Sequence, residues 1–192
     1  MKFFFLRHTT LKVDDDVFYG QTDLNVSDNF EEELLTIKEK LLCNIKNFNT
    51  ISIYASPLKR CAKLAENLSD KVCYDKRVME LNLGDWEMKK KKSIPTQLIN
   101  EWEKNILTFQ IPNGENNKSF LLRLKNFVSD LKKKQKDVLI VAHAGSINGM
   151  ISILTGQPFD KLLKNYWEKI THGSLSLVEL KEGIVKIKFI GK

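Results

Sequence analysis

The chain has 192 residues, 42% hydrophobic and 29% charged, an ordinary composition for a globular protein long enough to bury a substantial core. Its net charge is +7, but the lysines cluster at 89–92 and 132–136 without interleaved aromatics or a binding module, so nucleic acid is not an expected partner. No apolar run approaches the roughly 20 residues of a membrane span. The three cysteines, Cys43, Cys61 and Cys73, form no close pair, which favours the reducing cytoplasm over a disulfide framework.

The chain opens on Phe3-Phe4-Phe5-Leu6, which runs directly into Arg7-His8-Thr9-Thr10. The run is too short for a signal-peptide core and lacks a cleavage site, so it is not expected to be a leader. Four apolar residues without alternation predict a strand buried on both faces, hence a parallel sheet. Arg7 and His8 then lie where the strand leaves the sheet, the edge at which open α/β sheets bind ligands. A guanidinium beside an imidazole suits an anion, above all a phosphate.

A long loop, residues 10–26, carries Tyr19-Gly20-Gln21-Thr22-Asp23. A helix follows, with an acidic start at Asp28 and Glu31 and an apolar stripe of Phe30, Leu34, Ile37, Leu41, Ile45 and Phe48. Residues 51–55 predict a second strand. Ser56-Pro57 reads as a helix start, with Ser56 as the cap, which puts Arg60 in the first turn above that strand's end. A helix N-terminus already favours anions, and an arginine adds to that preference.

Residues 72–78 read as a short edge strand or loop, leading to Glu80 among Met79, Leu81, Leu83 and Trp86. A carboxyl group there is either a partly desolvated general acid or an exposed loop acid. A helix is expected over about 94–107, in an excursion that starts at the Lys89–Lys92 run and would cover the site, and another over about 117–135. Residues 137–142 form an apolar strand that ends at His143-Ala144-Gly145, where a helix opens with small residues. That helix ends at Gly156, a shorter one spans about 158–166, and two strands near 174–180 and 184–190 predict an antiparallel hairpin. No repeat or linker divides the chain, so residues 1–192 read as one domain.

Two histidines and two arginines thus fall at strand ends or a helix start along one edge of one sheet. In this order, the pattern resembles the histidine phosphatase superfamily, also called phosphoglycerate mutase-like, over essentially the whole chain. Arg7-His8-Thr9 matches its Arg-His-Gly signature with Thr9 in place of the glycine. Ser56-Pro57-Leu58-Lys59-Arg60 matches its second arginine motif, Glu80 its acid and His143-Ala144-Gly145 its second histidine. Arg7-His8-Thr9-Thr10, residues 19–24 and residues 80–87 look most like the α-ribazole phosphatase branch.

The resemblance implies a three-layer α/β/α sandwich, with a mostly parallel central sheet and an antiparallel edge hairpin. It implies a phosphomonoester hydrolase without metal or cofactor, acting as a monomer or homodimer on a small phosphomonoester. His8 would be the nucleophile, and Arg7, Arg60 and His143 would surround the phosphoryl oxygens. Glu80 would be acid and then base, with Thr9, Thr10, Gln21 and the Ala144 N–H as further substrate contacts. The chain lacks the asparagine that many relatives place soon after the signature, which leaves Gln21 or Thr10 for that contact.

The third histidine, His172, could reach the pocket from its place before the penultimate strand, but a structural or surface role is the favoured reading. Trp86, Trp102 and Trp167 read as packing residues, two of which could line an apolar leaving-group pocket such as α-ribazole needs. A cysteine phosphatase, a P-loop kinase and a G-x-G-x-x-G oxidoreductase all fail on spacing, and three scattered histidines do not make a zinc site. The remaining rivals are a phosphoglycerate mutase, a broad-specificity or sugar-phosphate phosphatase, and a phospho-ligand binding module without catalysis.

Overall fold

The N-terminal apolar run becomes the strand on which the sheet is built. In a computed structural model that describes residues 1–192, the side chain of Asn49 excepted, β1 spans Lys2–Arg7. The other strands are β2 (Ser52–Ala55), β3 (Val72–Tyr74), β4 (Val138–Ala142), β5 (Leu175–Lys181) and β6 (Ile184–Phe189). They form one sheet in the order β3-β2-β4-β1-β5-β6. β1, β2, β3 and β4 pair in parallel, whereas β5 runs antiparallel to β1 and β6 antiparallel to β5. Residues 72–74 are therefore an edge strand. The hairpin turn at Glu182-Gly183 has both residues at positive φ, 52° and 79°, as a two-residue primed turn requires.

Helices cover both faces: α1 (Phe30–Asn44), α2 (Lys59–Glu66), α3 (Thr96–Lys104), α4 (Asn117–Lys134), α5 (Ala144–Thr155) and α6 (Phe159–Tyr166). Alternation along the strands divides the core. Phe4 and Leu6 of β1, with Leu139 and Val141 of β4, pack against Phe30, Leu34, Ile37 and Leu41 of α1 and Cys61 and Leu64 of α2. Phe3 and Phe5, with Val138, Ile140 and Ala142, pack against Phe120, Leu124 and Phe127 of α4 and Ile147 and Met150 of α5. The architecture is a three-layer α/β/α sandwich. No helix among the described residues is long and apolar enough to cross a membrane.

Two boundaries differ from the sequence reading: α1 stops at Asn44, where the chain turns extended at Ile45 and leaves Ile45 and Phe48 outside the helix, and α2 starts later than Ser56-Pro57 suggested. α2 begins at Lys59, with Leu58 at the cap position and no capping side chain, so Ser56 is not the cap. The Ser56 hydroxyl is taken instead by His143 Nε2 at 2.8 Å. Asp23 Oδ1, from the long loop, accepts the Lys59 N–H at 2.7 Å and satisfies the helix start in its place.

The topology also makes a crevice. From β1 the chain leaves through α1 toward β2 over one face, and from β4 it leaves through α5 and α6 toward β5 over the other. β1 and β4 are neighbours whose connections diverge, so the edge beyond their carboxyl ends lies open. Phe5 is fully buried between these layers. Phe5→Ala is expected to cost about 3–5 kcal/mol, read from urea unfolding midpoints; a loss under about 1 kcal/mol would contradict this packing.

Candidate active site

β1 and β4 run in register, with Arg7 opposite Ala142, so the residues after the two strand ends emerge side by side. These are His8 and His143. The His8 N–H donates to the Ala142 carbonyl at 3.1 Å, and the two rings lie 5.3 Å apart, edge to face. Each is buried.

The hydrogen bonds fix both tautomers. His8 Nδ1 lies 2.8 Å from the Thr9 carbonyl, which only accepts, so Nδ1 carries the proton and Nε2 keeps its lone pair. Arg60 Nε donates to His143 Nδ1 at 3.1 Å, so His143 is protonated at Nε2 and donates to Ser56 Oγ. Both His143 nitrogens are therefore engaged, and its ring positions Arg60. Burial, then the charges of Arg60 and Arg7, holds His8 well below the usual imidazole range. Burial, Arg60 and the neighbouring His8 do the same to His143.

Arg60 is fully buried and lies in the first turn of α2. Its Nη1 donates to Thr22 O at 2.8 Å and its Nη2 to Gly20 O at 2.6 Å, and the Tyr19 ring covers the guanidinium at 5.6 Å. Arg7 donates through Nη1 to Ile170 O at 2.7 Å, and its Nε is buried without a partner. Neither arginine has a carboxylate in ion-pairing distance among the described residues. A buried and a half-buried cation thus share one crevice without a counter-charge bonded to either.

Glu80 is half-buried, and its Oε2 accepts the Gly145 N–H at 2.8 Å while Oε1 accepts the Leu81 N–H at 2.9 Å. A Cβ on Gly145 would lie 2.4 Å from Glu80 Oε1, so only glycine lets the carboxylate reach the start of α5. The Glu80 backbone is held too: its carbonyl accepts from Arg123 Nη2 of α4 at 2.8 Å and from Gln21 Nε2 at 3.0 Å.

Of the other expected contacts, Ala144 and Thr10 line the cavity, but the Thr10 hydroxyl is bonded to Glu33 and Ser27. Thr9 is buried and contributes its carbonyl to His8, and its own hydroxyl has no partner. Gln21 does not line the cavity; its amide is spent on the Glu80 carbonyl.

His172 reaches the pocket, the less favoured of its two sequence readings. It lines the cavity, its Nε2 lies 2.9 Å from Arg7 Nη2 and 3.4 Å from the Tyr19 hydroxyl, and its ring is 5.2 Å from that of His8. Burial, followed by the charges of Arg7 and Arg60, lowers its pKa to about 4. One sequence signal existed: a strand antiparallel to β1 must begin where β1 ends, and His172 precedes β5 by three residues.

The long loop is fastened by a carboxylate that spacing alone did not single out. Glu87 accepts from the N–H groups of Gly20, Gln21, Thr22 and Leu83 and from the Thr22 hydroxyl. Burial opposes its charge, but these donors outweigh burial and hold its pKa below the usual carboxylate value. The Lys89–Lys92 run has a similar structural part. Lys90 pairs with Asp14 and Asp16, and the backbone of 88–91 exchanges hydrogen bonds with 16–18.

The cavity above these groups has a volume of about 770 Å³. Phe18, Trp102, Phe120, Phe159, Leu163 and Trp167 form its apolar wall. Trp102 comes from the excursion that starts at the Lys89–Lys92 run and meets Trp86 and Phe18 edge to face, so this arm walls the site.

A family model, the histidine phosphatase superfamily (branch 1), matches residues 3–191, and the chain belongs to that superfamily. It is a phosphatase. A curated relative from Hydrogenobacter thermophilus is 26% identical over 84% of this chain and 82% of its own; it is named phosphoserine phosphatase 2, an assignment its name marks as provisional. The fold matches α-ribazole phosphatase from Shigella flexneri with TM-score 0.85 at 21% identity, covering 100% of this chain and 96% of that one. A mycobacterial glucosyl-3-phosphoglycerate phosphatase matches with TM-score 0.80 at 20% identity, covering 99% and 98%.

Two outcomes are expected. Because the folded state keeps His8, His143 and His172 uncharged, the unfolded chain binds protons that the native chain refuses once pH falls below about 6.5. Stability is then lost from about pH 6.5 down to the lowered native values, and Tm measured from pH 8 to 5 should fall below pH 6.5; a flat profile would contradict the neutral imidazoles. Gly145→Ala should leave Tm unchanged or slightly raised, because alanine favours a helix, while displacing Glu80 and lowering kcat about 10–100-fold on esters with poor leaving groups.

Proposed function

We propose that this phosphatase is a phosphomonoester hydrolase that works through a phosphohistidine on His8, and that its substrate is α-ribazole 5′-phosphate, dephosphorylated during assembly of the cobalamin nucleotide loop. The observation that carries the reading is the cavity itself. Its floor holds a neutral imidazole beside the buried Arg60 and the half-buried Arg7, neither bonded to a carboxylate, and its wall is aromatic and aliphatic. The floor fits a phosphate dianion and the wall fits a flat, apolar base.

In this mechanism His8 Nε2 attacks phosphorus, and the bond from phosphorus to the ester oxygen breaks. The ring gains positive charge as the N–P bond forms, and the Thr9 carbonyl, bonded to Nδ1–H, stabilises it. Arg7 and Arg60 bind the phosphoryl oxygens as charge shifts onto them, with the Ala144 N–H as a further donor at the start of α5. His143 keeps Arg60 in place. Glu80, entering as the acid, gives its proton to the departing alkoxide. As carboxylate it then takes a proton from water, whose oxygen attacks phosphorus and breaks the N–P bond, returning His8 to its neutral form. Thr10 and Gln21 support the loop and Glu80 from behind the anion site.

The exposed, unpaired Cys43 and Cys73 suit a reducing compartment, and we place the enzyme in the cytoplasm.

A panel of monoesters tests the substrate: α-ribazole 5′-phosphate, phosphoserine, 3-phosphoglycerate, sugar phosphates and an activated aryl phosphate. Selective release from α-ribazole 5′-phosphate is expected, and His8→Ala should lower it by about four orders of magnitude or more. Preference for phosphoserine would replace the substrate assignment, and equal release across the panel would make the enzyme a general phosphatase. Release that survives in His8→Ala would remove the phosphohistidine.

A further inference from the structure

His172 is the one imidazole of the cavity to which the steps above give no part. Arginine only donates hydrogen bonds, so the 2.9 Å contact between Arg7 Nη2 and His172 Nε2 makes Nε2 the acceptor and puts the ring proton on Nδ1. The same guanidinium is fixed at its other end, where Nη1 donates to Ile170 O at 2.7 Å. Both anchors belong to residues 170–172. That segment is tied to the end of β1 by the Arg7 N–H on Ser174 O and the Gly173 N–H on His8 O, each at 3.1 Å. The guanidinium is therefore held at two points by a segment that is itself tied to the nucleophile's backbone.

The identity of the side chain matters for a physical reason. Any second cation beside Arg7 would repel it, and a protonated imidazole has no lone pair to offer. The groups facing His172 are Arg7, Arg60, His8 and the Tyr19 hydroxyl. Burial and the two arginines keep it neutral, with its acceptor intact at neutral pH. Holding the guanidinium before substrate arrives spares the ordering cost at the moment of binding.

We propose that His172 is a positioning residue for phosphate binding: through Nε2 it holds the Arg7 guanidinium in the orientation that grips the phosphoryl group. This rests on the reading of Arg7 as a phosphate ligand. It gives the third histidine a part in the reaction without making it a catalytic residue, since it acts through Arg7.

The test compares wild type, His172→Gln, His172→Leu and His8→Ala. Glutamine can place Oε1 near the position of Nε2 and so restore an acceptor; leucine fills the space without one. The measurements are competitive inhibition by inorganic phosphate and by orthovanadate, kcat and KM on an activated aryl phosphate, and Tm. For His172→Leu, the inhibition constants and KM should rise about tenfold to a hundredfold, the worth of a hydrogen bond to a charged group, with Tm nearly unchanged. His172→Gln should return to within about threefold of wild type on the same argument.

Unchanged phosphate inhibition in His172→Leu would overturn the proposal. So would a His172→Gln variant as impaired as His172→Leu, or weakened inhibition that merely follows loss of folded protein in both. A wild type that is neither inhibited by phosphate nor more active than His8→Ala would instead overturn the reading of the site, which separates the two failures.

Discussion

The constraint on which the site depends is the burial of Arg60 without a counter-ion. Burying a charge costs several kcal/mol unless polar groups surround it. Here the compensation comes from the carbonyls of Gly20 and Thr22, the lone pair of His143 Nδ1 and the face of Tyr19. These partners neutralise nothing, so the positive potential persists in a low-dielectric crevice beside Arg7. Burial, with that potential added, keeps the three imidazoles neutral, the state in which His8 Nε2 keeps its lone pair and His143 and His172 accept from the arginines. Two cations without counter-ions thus bear on the protonation of every imidazole in the crevice.

The acidic residues around the crevice are used in a complementary way. Glu33 takes the Thr10 N–H and hydroxyl, Glu87 fastens residues 20–22, and Asp23 satisfies the start of α2. Each carboxylate is bonded to backbone N–H groups or hydroxyls and not to the arginines. The loops that carry the Arg60 acceptors are thereby rigid before any anion binds. Preorganised donors cost no reorientation when charge develops, which is the main source of electrostatic catalysis. Glu80 belongs to the same design, because its approach to α5 exists only where Gly145 has no side chain.

Much of this was legible in the chain. An unalternating Phe3–Leu6 run reads as a strand covered on both sides, and the same holds for Val138–Ala142. Burial on two faces requires two helical layers, and polar residues at the ends of such strands must emerge at one edge. That reasoning places Arg7, His8, Arg60 and His143 together without coordinates. The helical stripe from Phe30 to Leu41 and the last hairpin were equally plain, since both follow from local periodicity and turn chemistry.

What the sequence by itself determined was a buried, mostly parallel sheet packed by helices and which polar side chains stand at its strand ends, because these depend on patterns within a few residues. What only the tertiary structure decided was which partner each polar group meets. Ser56 looked like a cap by local rules, but His143 offered its hydroxyl a buried donor, and Asp23 took over the helix start from 36 residues away. Gln21 was drawn behind Glu80, and the lone His172 was carried to Arg7 by a strand antiparallel to β1. Hydrogen bonds of this kind are set by packing in space and carry no periodic trace along the chain.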